Sequence, residues 1–199
     1  MACTASRRSY GLSGGKVNKP DFWKLIDGTR REASPSDDIA PLLVDTLAAM
    51  EPPEIIRWAH MYDAYQSLSY KPKLWAAAYL INGGCSDDGF EYFRGWLISR
   101  GRAVFLSALA DPDSLADVDI ETQAEYEDML SVGALAYFKK LGMARPDYDA
   151  FQAACRTYDL SEIERQHLVV DIHYASDSDA EWDEDGLEAV VPRLCAKFG

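Results

Sequence analysis

The chain has 199 residues, of which 48% are hydrophobic and 12% aromatic, and 33 acidic against 20 basic side chains give it a net charge of −13. This composition predicts one folded domain with a full core and argues against a disordered chain. No apolar run approaches the roughly 18 residues of a membrane helix, and the strongly acidic balance disfavours direct binding to DNA or RNA. We therefore expect neither a membrane nor a nucleic acid as a direct partner.

The first twenty residues differ in charge from the rest of the chain. Residues 1–20 are rich in Ser and Gly and contain Arg7, Arg8, Lys16 and Lys19 but no acidic residue. We predict a disordered basic arm there, with a short targeting segment as the alternative. The folded domain is then expected over residues 21–199.

Three helices are predicted between the arm and the middle of the chain. Phe22, Leu25 and Ile26 lie on one face of the first helix, which Asp21 is placed to cap. After a loop of Ser, Pro and Asp residues, Asp38 caps the second helix. The third begins at two adjacent prolines, which suit a first helical turn.

The central stretch, residues 74–115, predicts alternating helices and tight turns. Residues 74–81 are almost all apolar, and three consecutive alanines favour a buried helix over a buried strand. Two adjacent glycines end this helix. Just beyond them, Asp88 followed by Glu91 has the pattern of a capping box for the next helix, which Gly101 ends.

A family resemblance rests on this stretch. Residues 76–115 read AAAYLINGGCSDDGFEYFRGWLISRGRAVFLSALADPDSL, and shorter fitting pieces occur at residues 22–27 and 192–194. The pattern resembles the bacterial family called domain of unknown function 4240 (DUF4240), over roughly residues 21–198. The resemblance implies no defined activity. Some relatives resemble parts of regulatory proteins that also carry nucleic-acid-binding modules, which is an argument from fold-level association.

The remainder of the chain also predicts mostly helices. In order, the segments are an amphipathic helix from Tyr126 to Gly142, a short helix from Tyr148 to Cys155, a helix capped by Ser161 and Glu164, an ambiguous segment over residues 169–174, an acidic loop over residues 177–185 and a final helix over residues 187–198. The predicted fold is therefore all-α, a single compact multi-helix domain behind the disordered N-terminal arm.

The turn from Gly84 to Arg94 supplies the candidate binding residues. These are Cys85, Ser86, Asp87, Asp88, Phe90, Arg94 and Trp96. A thiol ahead of a helix N-terminus can act as a nucleophile, although adjacent carboxylates oppose the thiolate, and a small cysteine filling a turn is the alternative. The carboxylates and Arg94 form either a polar ligand pocket or a capped helix start with an internal ion pair.

No metal or cofactor site is predicted. Glu164 and His167 form one Glu-x-x-His, half of a di-iron pattern whose second copy is missing. A calcium-loop spacing that starts at Asp177 has Trp where the loop requires Gly. Asp111 and Asp113 have the spacing of turn and cap residues rather than of ligands.

Four widely separated cysteines, Cys3, Cys85, Cys155 and Cys195, are typical of reduced thiols in a cytoplasmic protein. The leading functional prediction is a non-enzymatic interaction, accessory or regulatory module with a protein or peptide partner, or else a small-molecule ligand, in a groove at the Gly84 to Arg94 turn. The alternatives are a small enzyme acting on a peptide or small molecule through Cys85, Asp87, Asp88 and Arg94, and an immunity-type inhibitor of a basic partner.

Overall fold

A computed structural model of the protein describes residues 16–33, 38–120 and 123–199. This part of the chain contains α-helices and short 3-10 turns but no strand, which confirms the predicted all-α class. The helices are α1 (Lys19–Glu32), α2 (Ile39–Ala48), α3 (Pro52–Leu68), α4 (Pro72–Asn82), α5 (Asp87–Ser99), α6 (Arg102–Ala110), α7 (Val132–Lys140), α8 (Tyr148–Cys155), α9 (Glu162–Val169), α10 (Leu187–Val190) and α11 (Pro192–Phe198). Within the same ranges, no helix is long and apolar enough to cross a membrane.

The folded part begins earlier than the boundary predicted at residue 21. Asn18, not Asp21, caps α1: its side chain accepts a hydrogen bond from the Asp21 backbone N–H at 3.0 Å, and the Asp21 carboxylate accepts one from the Asn18 N–H at 3.3 Å. This reciprocal pair makes Asp21 the third residue of the helix. Val17 is only 2% exposed. Of the arm predicted for residues 1–20, residues 1–15 lie outside the described residues.

The core is built around aromatic side chains from α1, α3 and α6. The ring of Trp23 lies 5.0 Å from that of Phe22, 4.8 Å from that of Tyr65 and 5.2 Å from that of Phe105, measured between centroids. Such offset and edge contacts add to the free energy of burying the rings. The three alanines of α4 are also buried, as their pattern predicts, and so are Phe90, Phe93 and Leu97 of α5.

One residue, Gly101, fixes α1 against the junction of α5 and α6. Its φ of 93° lies in the region that favours glycine, and a Cβ there would lie 2.3 Å from Oδ1 of Asp27. That oxygen accepts the backbone N–H of Arg102 at 3.1 Å, at the start of α6. The glycine therefore lets a carboxylate on α1 reach the start of another helix.

The C-terminal part differs from the predicted pattern in two places. Residues 170–175 form a turn and an irregular segment rather than a helix or strand. The single final helix predicted over residues 187–198 is wrong: α10 and α11 are separate, because the backbone of Val191 (φ −140°, ψ 64°) is not helical before Pro192. The cap prediction for Asp111 is confirmed, since it accepts the N–H of Asp113 at 3.1 Å.

Candidate functional site

Ser86, not Asp88, caps α5. The Ser86 hydroxyl accepts the backbone N–H of Gly89 at 3.1 Å, so the capping box predicted from Asp88 and Glu91 is wrong. Asp87 and Asp88 lie exposed in the first turn. Their charges still favour the helix because its N-terminus carries a positive partial charge.

Arg94 is buried, and its guanidinium group bonds to backbone carbonyls. Its Nη1 donates to the carbonyl of Gln66 at 2.7 Å and its Nε to that of Phe90 at 3.2 Å. The guanidinium carbon also lies 5.0 Å from the ring centroids of both Tyr70 and Phe90. Burial lowers the pKa of Arg94. No ion pair of the described residues joins Arg94 to either carboxylate of the first turn. Arg94 thus ties α5 to α3.

Phe90 and Trp96 belong to the core. Phe90 is fully buried and stacks on Trp75 with the ring centroids 4.7 Å apart. Trp96 is 8% exposed and packs on Phe93 at 5.5 Å. Neither ring is exposed enough to offer a partner a large apolar surface.

Cys85 lies half-buried between α4 and α5. Its carbonyl accepts the indole N–H of Trp75 at 3.0 Å. Burial, reinforced by the charge of Glu125, raises the pKa of the Cys85 thiol to about 11. A thiol with this pKa is almost entirely protonated at neutral pH, so its surroundings do not activate it as a nucleophile. The seven predicted residues thus extend from the turn before α5 along most of that helix, and only Ser86, Asp87 and Asp88 among them are exposed.

A basic cleft lies elsewhere, between α1 and the corner that joins α5 to α6. Its volume is about 730 Å³, and six cations and one carboxylate are among its ten lining residues. The lining residues are Lys19, Pro20, Trp23, Lys24, Asp27, Arg30, Arg31, Arg100, Arg102 and Ala103. In a chain with a net charge of −13, this concentration of positive charge is the clearest electrostatic feature.

One face of α1 forms one side of the basic cleft. Lys19, Trp23, Asp27 and Arg30 follow one another at spacings of four, four and three residues, which puts them on one face of the helix. The opposite side comes from residues 100–103, whose position is fixed by the close approach of Gly101 and the Asp27 carboxylate.

Two arginines, Arg30 and Arg100, face each other across the basic cleft. Arg30 Nη1 donates to the carbonyl of Ser99 at 3.3 Å, and Arg100 Nη2 to that of Asp119 at 3.5 Å. Burial and repulsion by Arg100 lower the pKa of Arg30, and the nearby charge of Asp27 opposes this only in part. No carboxylate of the described residues makes an ion pair with either guanidinium. This part of the cleft therefore favours an anion.

Asp171 lies at the other end of the basic cleft. Its Oδ1 pairs with Lys19 Nζ and its Oδ2 with Arg102 Nη2. Lys19 also donates to the carbonyl of His167 at 3.0 Å, in the last turn of α9. The cleft therefore has one end that Asp171 neutralises and another where no carboxylate of the described ranges makes an ion pair with Arg30 or Arg100.

The part of the chain that carries this cleft matches a known protein family. The sequence model of a family described as "Protein of unknown function (DUF4240)" matches residues 17–139, more than half of the chain. The chain belongs to the DUF4240 family. No curated protein and no solved structure matches it. All ten cleft residues lie within the DUF4240 match, whereas Asp171 and the predicted C-terminal piece at residues 192–194 lie beyond it.

The acidic residues whose spacing resembles metal sites form ion pairs with Arg and Lys side chains of the DUF4240 chain itself. Glu164 pairs with Arg57, and hydrogen bonds from Arg57 and then Ser161 lower the pKa of Glu164 to about 2. Asp177 pairs with Lys73 at 2.8 Å, at the start of α4. Over the described residues, no group of three or more His, Cys, Asp or Glu side chains is arranged to hold a metal ion.

A second, smaller cavity of the DUF4240 protein lies against α3, α7 and α8. Its volume is about 390 Å³, and it is lined in part by Tyr148, Phe151 and Cys155. Burial, with the nearby charge of Asp63, raises the pKa of the Cys155 thiol to about 11. This cavity therefore contains a second unreactive cysteine and has no concentration of charge.

Proposed function

We propose that this DUF4240 protein is a non-enzymatic binding module whose basic cleft holds an acidic segment of a partner protein. The observation that supports this most strongly is the set of six cationic side chains around one cleft of an acidic chain. The binding groove then lies between α1 and the α5–α6 corner instead of at the Gly84 to Arg94 turn.

The shape of the basic cleft favours an extended peptide over a single small anion. Lys19 and Arg31 are twelve residues apart on α1, which at about 1.5 Å per residue is about 18 Å. An extended chain advances about 3.3 Å per residue, so roughly five residues span this distance. Arginine guanidinium groups bind carboxylates through two parallel hydrogen bonds, which gives an acidic peptide both affinity and orientation.

The two alternative functions, an enzyme and an inhibitor of a basic partner, have less support from the contacts of the residues that they would use. An enzyme using Cys85 and Arg94 would need a reactive thiol and an available guanidinium, but the thiol pKa is about 11 and Arg94 is bonded to two carbonyls. An inhibitor of a basic partner would use an acidic surface, and the charge of the cleft is the opposite. Reduced cysteines support a cytoplasmic location for this module, since the three described cysteines are free.

The proposal is tested with fluorescein-labelled hexaglutamate, whose binding is followed by fluorescence anisotropy, with labelled hexaglutamine as the neutral control. The double variant Arg30→Gln/Arg100→Gln should weaken hexaglutamate binding by about tenfold or more, since each tenfold corresponds to about 1.4 kcal/mol. The matched control Lys139→Gln/Lys140→Gln removes the same charge from α7, outside the cleft, and should bind as wild type does.

Three outcomes would contradict the proposal. Equal loss in both double variants would mean that only net charge matters. Hexaglutamine binding as tightly as hexaglutamate would exclude recognition of the carboxylates. Tripolyphosphate that binds while hexaglutamate does not would assign the basic cleft to a small phosphorylated ligand instead of a peptide.

A further inference from the structure

Asp171 bonds to the basic cleft as an acidic residue of a bound peptide would. Each of its two carboxylate oxygens pairs with a different cleft cation, one with Lys19 and the other with Arg102. The Asp171 side chain is 26% exposed, so solvent and a ligand can reach it. These two cations come from opposite sides of the cleft, α1 and the start of α6.

The backbone around Asp171 is held by contacts that do not involve its carboxylate. Before it, Glu164 on α9 pairs with Arg57 on α3. After it, the Tyr174 hydroxyl donates to the carbonyl of Leu68 at 3.0 Å, and the Ala175 N–H to that of Leu109 at 3.2 Å. The side chain can therefore leave Lys19 and Arg102 while the segment that carries it stays in place.

Asp171 also has a different position in the chain from the residues that it neutralises. Every residue lining the basic cleft lies between residues 19 and 103, inside the span that the family model matches. Asp171 lies more than thirty residues beyond the end of that span at residue 139. The matched region thus supplies the cations, and the C-terminal region supplies a carboxylate that bonds to two of them.

We propose that Asp171 is an internal ligand of the basic cleft, which a partner's acidic residue must displace from Lys19 and Arg102 in order to bind along its full length. This inference rests on the proposed function of the cleft. In the part of the chain that the structure describes, no carboxylate makes an ion pair with Arg30, Arg31 or Arg100, so a partner carboxylate meets no such competitor there. A partner cannot bind Lys19 and Arg102 while the Asp171 carboxylate occupies them. The apparent affinity for the partner is therefore the intrinsic affinity multiplied by the fraction of time that the two cations are free.

The test compares two single substitutions that change the charge equally. Asp171→Asn frees Lys19 and Arg102, whereas Asp27→Asn raises the charge of the cleft by the same amount but leaves the pairs of Asp171 intact. Asn caps a helix about as well as Asp, so Asp27→Asn keeps the hydrogen bond to the Arg102 N–H. We expect Asp171→Asn to tighten hexaglutamate binding by about tenfold and Asp27→Asn by about twofold, because only the first removes a competitor.

A second measurement observes the displacement directly. At neutral pH, adding hexaglutamate to wild-type protein should move the ¹³C resonance of the Asp171 carboxyl carbon. The direction should be toward its position in the Lys19→Gln/Arg102→Gln variant, in which the carboxylate has lost both donors.

The outcomes distinguish failure of the internal ligand alone from failure of both proposals. Equal tightening by Asp27→Asn and Asp171→Asn, or a bound peptide with an unmoved Asp171 resonance, would reject the internal ligand and leave the proposed function standing. Hexaglutamate that binds to none of the three proteins would reject the proposed function and this inference together.

Discussion

Arg94 and Arg100 lie six residues apart on the same stretch of chain but in opposite environments. Arg94 is buried, with two carbonyls and two aromatic rings around its guanidinium. Arg100 lines the basic cleft, where its guanidinium reaches one carbonyl at 3.5 Å, lies 5.6 Å from the ring centroid of Trp96 and faces Arg30. The difference shows that the surroundings of an arginine, rather than its neighbours in sequence, decide whether it stabilises the fold or is available to a ligand.

The largest effect on stability is expected from Arg94. Arg94→Ala removes the hydrogen bond that joins α5 to Gln66 of α3, together with the contacts to Phe90 and Tyr70, so we expect the free energy of unfolding to fall by about 2–4 kcal/mol. Arg100→Ala should lower it by less than about 1 kcal/mol because its side chain is partly exposed. Urea denaturation measures both. Equal losses would show that the two arginines have the same role.

Arg57 sharpens the comparison because it is buried like Arg94 but has an acidic partner. Glu164→Gln should cost about 1–2 kcal/mol at neutral pH, toward the low end for hydrogen bonds to charged groups because the Glu164 side chain is 34% exposed and solvent screens the pair. Since the pKa of Glu164 falls from 4.5 to about 2 on folding, its contribution is complete above the ordinary value and is lost as the pH falls toward 2. Thermal melts from pH 6 to 2 should therefore converge for wild type and Glu164→Gln.

The exposed Glu162 on the same helix is the matched control for that series. Glu162→Gln should keep the acid dependence of wild type. Melting curves of Glu164→Gln that stay parallel to wild type down to pH 2 would contradict the role of the Arg57 pair.

Smaller effects on the free energy of unfolding are expected at the cap of α5 and at the exposed carboxylates that follow it. Ser86→Ala should lower the free energy of unfolding by about 1 kcal/mol, because the Gly89 N–H loses its acceptor. Asp88→Asn removes only a favourable interaction with the helix dipole and should cost less than about 0.5 kcal/mol. Neither change should alter hexaglutamate binding. A Ser86→Ala protein as stable as wild type would contradict the cap assigned to Ser86.

The smallest effect on stability and binding is expected at Cys85. With a thiol pKa of about 11, its alkylation by iodoacetamide at neutral pH should be about 100-fold slower than that of an unstructured thiol, because less of it is thiolate. Mass spectrometry of the alkylated peptide gives the rate. Cys85→Ser should leave hexaglutamate affinity unchanged. Fast alkylation in the folded protein would instead favour a reactive cysteine.

The sequence predicts those elements whose signal is local. The apolar run with three alanines predicts α4, and the pair of Ser161 and Glu164 predicts the capping box that the structure contains at α9. Boundaries are less predictable where two residues compete for one role. At α1, Asn18 and Asp21 each have a side chain suited to capping, and only the folded backbone decides that they cap each other.

The basic cleft could not be predicted in the same way because its two sides are far apart in the chain. Arg30 meets the carbonyl of Ser99 across 69 residues of sequence. The cations that α1 contributes to the cleft alternate with Asp21, Asp27 and Glu32, so the local sequence has little net charge. The total charge of −13 also conceals a basic surface. The signal available was the Arg-Gly-Arg of residues 100–102, whose two cations flank a turn residue.

The carboxylate of Asp113 connects the turn after α6 to the last helix. It accepts the backbone N–H groups of Arg193 and Leu194, each at 2.9 Å and across 80 and 81 residues of sequence. These amides have no such acceptor until the last helix docks onto the turn after α6. Their exchange with deuterium thus reports the docking of the C-terminus separately from the unfolding of the aromatic core, and comparing the two rates gives the order in which the parts of the chain open.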